Sequence, residues 1–260
     1  NNFSWDTPTI LPNYPDVATQ ARALRAANTR ANLENELFGM YMDDNFIAKA
    51  EAWKQRHGGK KAGYREMIPG DDFDLGEDGS ALYYADWDVV GIMFRDWKPA
   101  QSHNISIQGT SGKTSYFLSV GYNHEEGVMT FNPDKLNKYN ANMNVTSDIT
   151  NWLQIGGRFS YSDKAYTTPN TRRNTYTYMW RWGSFFGPYG TYQGIDMKND
   201  IAYLKQAGDD KTNDSYTRIG AFLKATIIKG LTLNADYTFN INNKTTKSVG
   251  LPVICWNSWG

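Results

Sequence analysis

Leu231-Thr232-Leu233-Asn234-Ala235-Asp236-Tyr237-Thr238-Phe239-Asn240-Ile241 alternates apolar and polar side chains without a break. Successive side chains of an extended chain point to opposite faces. One face of this segment therefore carries Leu231, Leu233, Ala235, Tyr237, Phe239 and Ile241, and the other carries Thr232, Asn234, Asp236, Thr238 and Asn240. Such alternation predicts a strand wetted on one side only. Just upstream, Lys229-Gly230 is a two-residue turn signal. Before it Ile219, Ala221, Leu223, Ala225 and Ile227 face away from Arg218, Lys224 and Thr226, completing a hairpin expected over 214–243.

The same grammar recurs earlier in the chain. Ile105 and Ile107 alternate with Asn104, Ser106 and Gln108 before a tight turn at Gly109-Thr110-Ser111-Gly112. Tyr116, Leu118, Val120 and Tyr122 alternate with Ser115, Ser119, Gly121 and Asn123. Ala141, Met143 and Val145 oppose Asn140, Asn142, Asn144 and Thr146, and after a short link Leu153, Ile155, Phe159 and Tyr161 oppose Gln154, Arg158, Ser160 and Ser162. The polar face is Asn, Ser, Thr and Gln for ten residues or so, far beyond the roughly 5–6 residues of a soluble strand. A dry sandwich core would leave those amides and hydroxyls without partners. A strand crossing an outer membrane needs about 9–11 residues, apolar toward lipid and polar toward a wet lumen. The fold class expected is thus all-β, a transmembrane antiparallel β-barrel with long, partly helical extracellular loops.

Links at 109–114, 148–151 and 229–230 are short, while 125–135 and 164–213 are longer. Barrels of this kind have short periplasmic turns and long outer loops, so the expected organisation follows. Residues 1–102 form an extracellular loop region with short helices, 103–163 four barrel strands, and 164–213 a long extracellular loop. Residues 214–243 form a barrel hairpin and 244–260 the start of the next outer loop. Within 1–102, Val17, Ala21, Leu24 and Ala27 recur at helical spacing after Asp16, a plausible N-cap. Asp43 to His57 is a second helix candidate, ended by Gly58-Gly59.

Composition narrows the function classes. Aromatics make up 15% of the residues, with 17 Tyr and 9 Trp, against a mean hydropathy of −0.63. Rings with polar tips collect at membrane–water interfaces, although a secreted β-type carbohydrate-binding or adhesion module would share this composition. Charge balances at 27 basic against 27 acidic residues, so no field draws nucleic acid. Cys255 is the lone cysteine, and no apolar run is long enough for a transmembrane helix. No signal peptide is visible, and an exported protein would have its true N-terminus upstream.

Gln101-Ser102-His103-Asn104-Ile105-Ser106-Ile107-Gln108-Gly109, with Lys113 to Tyr122 and Glu126-Gly127-Val128, resembles the first barrel hairpin of the SusC/RagA family of TonB-linked outer-membrane transporters. Asn142-Met143-Asn144-Val145, Trp152-Leu153-Gln154-Ile155-Gly156 and Ile228-Lys229-Gly230-Leu231-Thr232-Leu233 follow in the family's order. The resemblance covers about 83–252. It implies one arc, about a quarter of the wall, of a roughly 22-stranded plugged barrel in the bacterial outer membrane. It further implies import of oligosaccharides or peptides, a SusD-like surface lipoprotein as lid, and TonB acting through an N-terminal region that this sequence lacks.

Sugars stack on flat rings, so the expected cargo contacts are Tyr83, Tyr84, Trp87 and Trp97, with Trp180, Trp182, Phe185, Phe186 and Tyr189 in the long loop. The other reading is that these rings pack the loops together or meet a protein partner. Asp71, Asp72, Asp74, Glu77 and Asp78 could cage calcium but lack EF-hand spacing, so a solvated acidic loop is the plainer expectation. His57, His103 and His124 show no zinc spacing, and no carboxylate pair or nucleophile elbow suggests catalysis. No enzyme, metal or cofactor is expected.

Overall fold

Period-two alternation resolves into six long strands, and the segments without it fold around a separate core. The computed structural model describes residues 14–37, 40–76, 81–171, 174–177 and 188–256. Chain order runs α1 (Val17–Arg30), β1 (Glu36–Leu37), β2 (Met40–Tyr41), α2 (Asp44–Arg56), β3 (Phe73–Leu75), β4 (Ala81–Tyr83) and α3 (Val89–Met93). The long strands β5 (Ala100–Ser111), β6 (Thr114–Glu126), β7 (Lys135–Asp148) and β8 (Leu153–Pro169) follow. After β9 (Thr191–Tyr192), β10 (Ile195–Asp196) and a short helix α4 (Asp200–Lys205) come β11 (Asp209–Ile228) and β12 (Leu231–Ser248).

The six long strands form one antiparallel sheet in the order β12-β11-β8-β7-β6-β5. Register puts every expected apolar residue on one face. Its middle row runs Ile107, Leu118, Met143, Phe159, Ile219, Phe239 across the six strands. The row beside it on the opposite face is polar at most positions: Ser106, Ser119, Asn142, Ser160, Arg218, Asn240.

This apolar band does not run straight across the strands. On β6 it spans Tyr116 to Tyr122. In register those rows meet Tyr237 and Asn243 of β12, where the apolar band instead spans Leu231 to Ile241. One border has thus slipped by two residues and the other by six, a mean of about one residue per strand step. With a rise of about 3.3 Å per residue and strands about 4.8 Å apart, that slip matches strands tilted by roughly 35° to the band, the tilt of a barrel wall. The stretch from Leu231 to Ile241 is about 33 Å along the strand, or roughly 25 Å of height at such a tilt, the height of a lipid-facing band.

Among the described residues no other element packs on this face. The core cluster draws on Val17, Phe46, Trp53, Phe73, Trp87, Met93, Met129, Tyr189 and Leu204 among others, and none of its members lies in the six long strands. Ile105 and Tyr237 are each 72% exposed and Phe239 52%. Covering such a side chain stabilises by about 1.5–3 kcal/mol. Leaving the whole face in water would cost tens of kcal/mol, on the order of several times a domain's net stability.

Strand ends differ from expectation. The first turn is Gly112-Lys113, with Gly112 at φ 59°, and β5 continues through Ser111. The sheet also reaches Pro169, Asp209 and Ser248, beyond the expected limits at 163, 214 and 243. At 209–213 and 244–248 the added residues are polar on both faces, and 164–169 holds Lys164, Thr167 and Thr168 without a clean alternation, so the pattern cannot mark them, while the ladder continues through their backbone.

Residues 14–98 are more than irregular loop. Asp16 and Asp43 cap α1 and α2, accepting from Thr19 N at 3.0 Å and Phe46 N at 2.7 Å. Gly58 and Gly59, at φ 59° and 73°, turn the chain out of α2. Asp72, expected in a solvated acidic loop, is fully buried. It accepts from Trp53 Nε1 at 2.9 Å, Ile68 N at 2.8 Å and both ends of the Arg65 fork at 2.6 and 2.7 Å. Burial alone would raise its pKa, but these donors and the Arg65 charge hold it below the usual carboxylate range.

Candidate binding site at the loop end of the sheet

The polar face carries a hydrogen-bonded lining through its middle. Ser160 donates to Asn142 at 2.9 Å, Tyr216 to Asn240 at 2.8 Å, and Arg158 meets Asp236 at 3.2 Å while lying 4.7 Å from the Phe222 ring centre. Phe222 lies directly over Gly156 on the neighbouring strand. A Cβ at that glycine would come within 2.3 Å of the ring and 2.7 Å of the Val145 carbonyl oxygen.

At the loop end of this face, β6, β7, β8 and β11 meet the 94–98 segment around a cavity of about 660 Å³, a volume typical of small-ligand pockets. Leu136, Met129, Val128 and Phe94 make much of its wall apolar, with Tyr166 and Tyr176 beside them. Charged groups sit around these. Lys98 Nζ is 3.5 Å from Glu125, and Arg95 reaches Glu126 at 3.2 Å while also donating to the Gly127 carbonyl at 2.7 Å. His124 lies 3.7 Å from Glu126 and pairs with Asn137 at 2.8 Å. Tyr166 donates to Asp134 at 3.0 Å, and Ser248 donates to Asp210. The register places Glu125, Leu136, Tyr166 and Asp210 on the polar face of the sheet.

The expected cargo rings do not converge here. Tyr83, Tyr84 and Trp87 are buried in the 14–98 body, at 3%, 3% and 1% exposure, so they present no open face. Tyr84 donates to Asp74 at 2.9 Å, and the Arg65 guanidinium lies 5.5 Å from the Trp87 ring centre. Tyr189 is buried as well. Trp97 is 71% exposed and stands apart from them. Trp180, Trp182, Phe185 and Phe186 lie outside the described residues.

The described acids of the acidic stretch form ion pairs and hydrogen bonds. Asp71 accepts from Arg56 at 2.5 and 2.8 Å and faces His57 at 3.1 Å, while Asp74 pairs with Lys49. His57, Asp71 and Asp72 do bring ligand atoms within 4.8 Å of one another. The Asp72 carboxylate is already occupied by four protein donors, which leaves little for an ion. Glu77 and Asp78 lie outside the described residues. His103 opens the sheet near Gln101 at 3.4 Å and stacks on Tyr122 with ring centres 6.4 Å apart.

The cavity residues escaped the sequence reading because 125–135 looked only like a connection. A signal was present in hindsight: Glu125-Glu126 closes one strand and Asp134 precedes the next, placing three carboxylates at one rim.

A one-layer antiparallel sheet with few helices, apolar on one face and polar on the other, is the architecture these observations define. No family model and no curated protein matches the sequence. Among solved structures, the chain is similar to part of the RagAB peptide importer in its closed-closed state. That match has 21% identity and a TM-score of 0.50 and covers 68% of this chain and 21% of the solved one. A second RagAB peptide transporter structure gives 21% identity and a TM-score of 0.46 over 62% of this chain and 19% of the other. The chain thus spans about a fifth of the length of these solved chains, and shares the fold of the matched part of the closed-closed structure.

Proposed function

We propose that this chain is one arc of the wall, with its outer loops, of a TonB-dependent outer-membrane transporter that imports oligosaccharides or peptides. The segregated sheet carries this reading. Its apolar face has no partner among the described residues, its polar face is too wet for a dry core, and the band between them slips at the rate a tilted barrel wall requires. β5 and β12 each pair on one side only, and in lipid such edges must be closed by further strands. The likeness in fold to part of the RagAB importer supports the same reading. The links at 112–113, 149–152 and 229–230 then lie at the periplasmic rim, and the helical body with the described 188–208 segment lies outside the cell. Acting alone the chain transports nothing and catalyses nothing. A SusD-like lipoprotein lid over the loops and TonB beneath the barrel complete the machine.

The test is the native protein extracted from outer membranes in detergent. The account expects a denaturing mass several times the chain's 29.5 kDa, with a lipoprotein co-purifying. A water-soluble species of 29.5 kDa would overturn it and favour a secreted binding module.

A further inference from the structure

Lys138 and Lys164 stand directly opposite each other on β7 and β8, on the polar face of the sheet. In register their row runs Asn123, Lys138, Lys164, Asp214 and Lys244 across β6, β7, β8, β11 and β12. Residues placed in this way have Cβ atoms about 4.5–5.5 Å apart, and like charges directly opposite destabilise a sheet. The lysine pair therefore does nothing for the fold. Asp214 is the one carboxylate in the row, and it lies between Lys164 and Lys244 rather than between the paired lysines. Among the described residues Lys138, Lys164 and Lys244 have no ion pair. Arg218 adds a further positive charge on the same face, four residues along β11 from Asp214.

The next row of the same face adds neutral donors. Asn140 and Ser162 stand directly opposite each other, and Asn140 aligns with Gly121 and Asn104 on β6 and β5. A Cβ at Gly121 would come within 2.4 Å of Asn104 Oδ1 and 2.6 Å of Asn140 Oδ1, so the glycine lets both amides lean over β6.

We infer that Lys138 and Lys164, with Asn140 and Ser162 beside them, form a subsite for a carboxylate carried by the cargo. The C-terminus of a peptide and a uronic acid of an oligosaccharide both supply that group. An anion between the two ammonium groups relieves their repulsion, while the amide and the hydroxyl donate to its oxygens. A cationic cargo would be repelled. This assignment rests on the proposed transporter reading, which puts the row on the wall of the lumen, toward the loop end where cargo would enter.

The full transporter, purified from outer membranes, is titrated with two matched pairs of dye-labelled probes. One is a tetrapeptide of Gly and Ser ending in a free carboxylate or in an amide, and the other is trigalacturonate or its methyl ester. In at least one pair the carboxylate member is expected to bind about fivefold tighter, the sum of two partly exposed charge contacts. Added salt should remove that advantage, and the pair that shows it identifies the source of the carboxylate. Lys138→Gln with Lys164→Gln should abolish the advantage and leave the neutral members unchanged. Asp214→Asn should widen it, so the proposal stays testable if the double variant folds poorly. Lys135→Gln, on the opposite face of β7 beside Glu126, should change nothing. No carboxylate advantage in either pair, or an equal loss with Lys135→Gln, would overturn the assignment. Residence in the outer membrane is scored on the same preparation. A resident protein without carboxylate preference would overturn the subsite alone, whereas absence from that membrane would overturn the transporter reading beneath it.

Discussion

Replacing Ile219 by Arg isolates the assignment of the two faces. Ile219 stands in the middle of the apolar row, paired with Phe159 and Phe239, and its neighbour Arg218 already projects from the opposite face. A charge at the middle of a lipid-facing barrel band costs about 2–4 kcal/mol. The control is Thr238→Arg, on the polar face across from Gly220 and two residues from Asp236. There the guanidinium meets water and a carboxylate, so the expected change is within about 0.5 kcal/mol. Urea unfolding of the full protein refolded into lipid vesicles measures both, with wild type in parallel. A difference of about 2 kcal/mol or more between the variants is the expected result. Equal costs, or a harmless Ile219→Arg, would refute the reasoning that this face meets lipid.

Three further outcomes follow from the geometry. Gly156→Val should lower stability by about 1–3 kcal/mol, because the new side chain displaces the Phe222 ring and meets the Val145 carbonyl; the same urea series checks it. Asp72→Ala should cost about 3–5 kcal/mol within the 14–98 body by leaving Arg65 without its buried partner, read as faster proteolysis there while the strands stay protected. Because the folded pKa of Asp72 is lowered, its stabilisation is present above the unfolded value near pH 4 and disappears as pH falls through the folded one. Asp200 runs the other way. Burial raises its pKa to about 7, so stability is highest below the unfolded value and is lost as pH rises toward 7. Asp200→Asn should therefore slow proteolysis of the 188–207 segment at pH 8 and change little at pH 4.

How much of this could be read in the sequence depends on what surrounds each part. Ile105, Leu118, Met143 and Phe239 declared their face because apolar and polar side chains alternate there without a break. At 209–216 and 242–248 both faces are polar, so the strand limits there could not be seen. In the 14–98 body the two helices were legible from their caps, but the packing between them and the rest was not, for a different reason. Its core joins Val17, Trp53, Trp87 and Leu204 across the chain, with no local period, and its organiser is a buried aspartate that composition alone reads as solvated. Tyr83, Tyr84 and Trp87 looked like cargo rings on chemistry alone, since nothing local distinguishes a ring that packs from one that waits for a ligand. The cavity depends on β6, β7, β8 and β11 ending at the same level, a property of register.

The most direct test of the central claim is a nitroxide scan along β12. The full protein in its membrane, with Cys255 replaced by Ser, carries a single spin label at each position from 231 to 241 in turn, and collision with oxygen and with a water-soluble nickel chelate is measured. The account predicts that labels at 233, 235, 237 and 239 collide with oxygen, which concentrates in lipid. Labels at 234, 236, 238 and 240 should collide with the chelate, giving a period of two. Equal access of the chelate to both sets would contradict the assignment of a lipid face and a wet lumen.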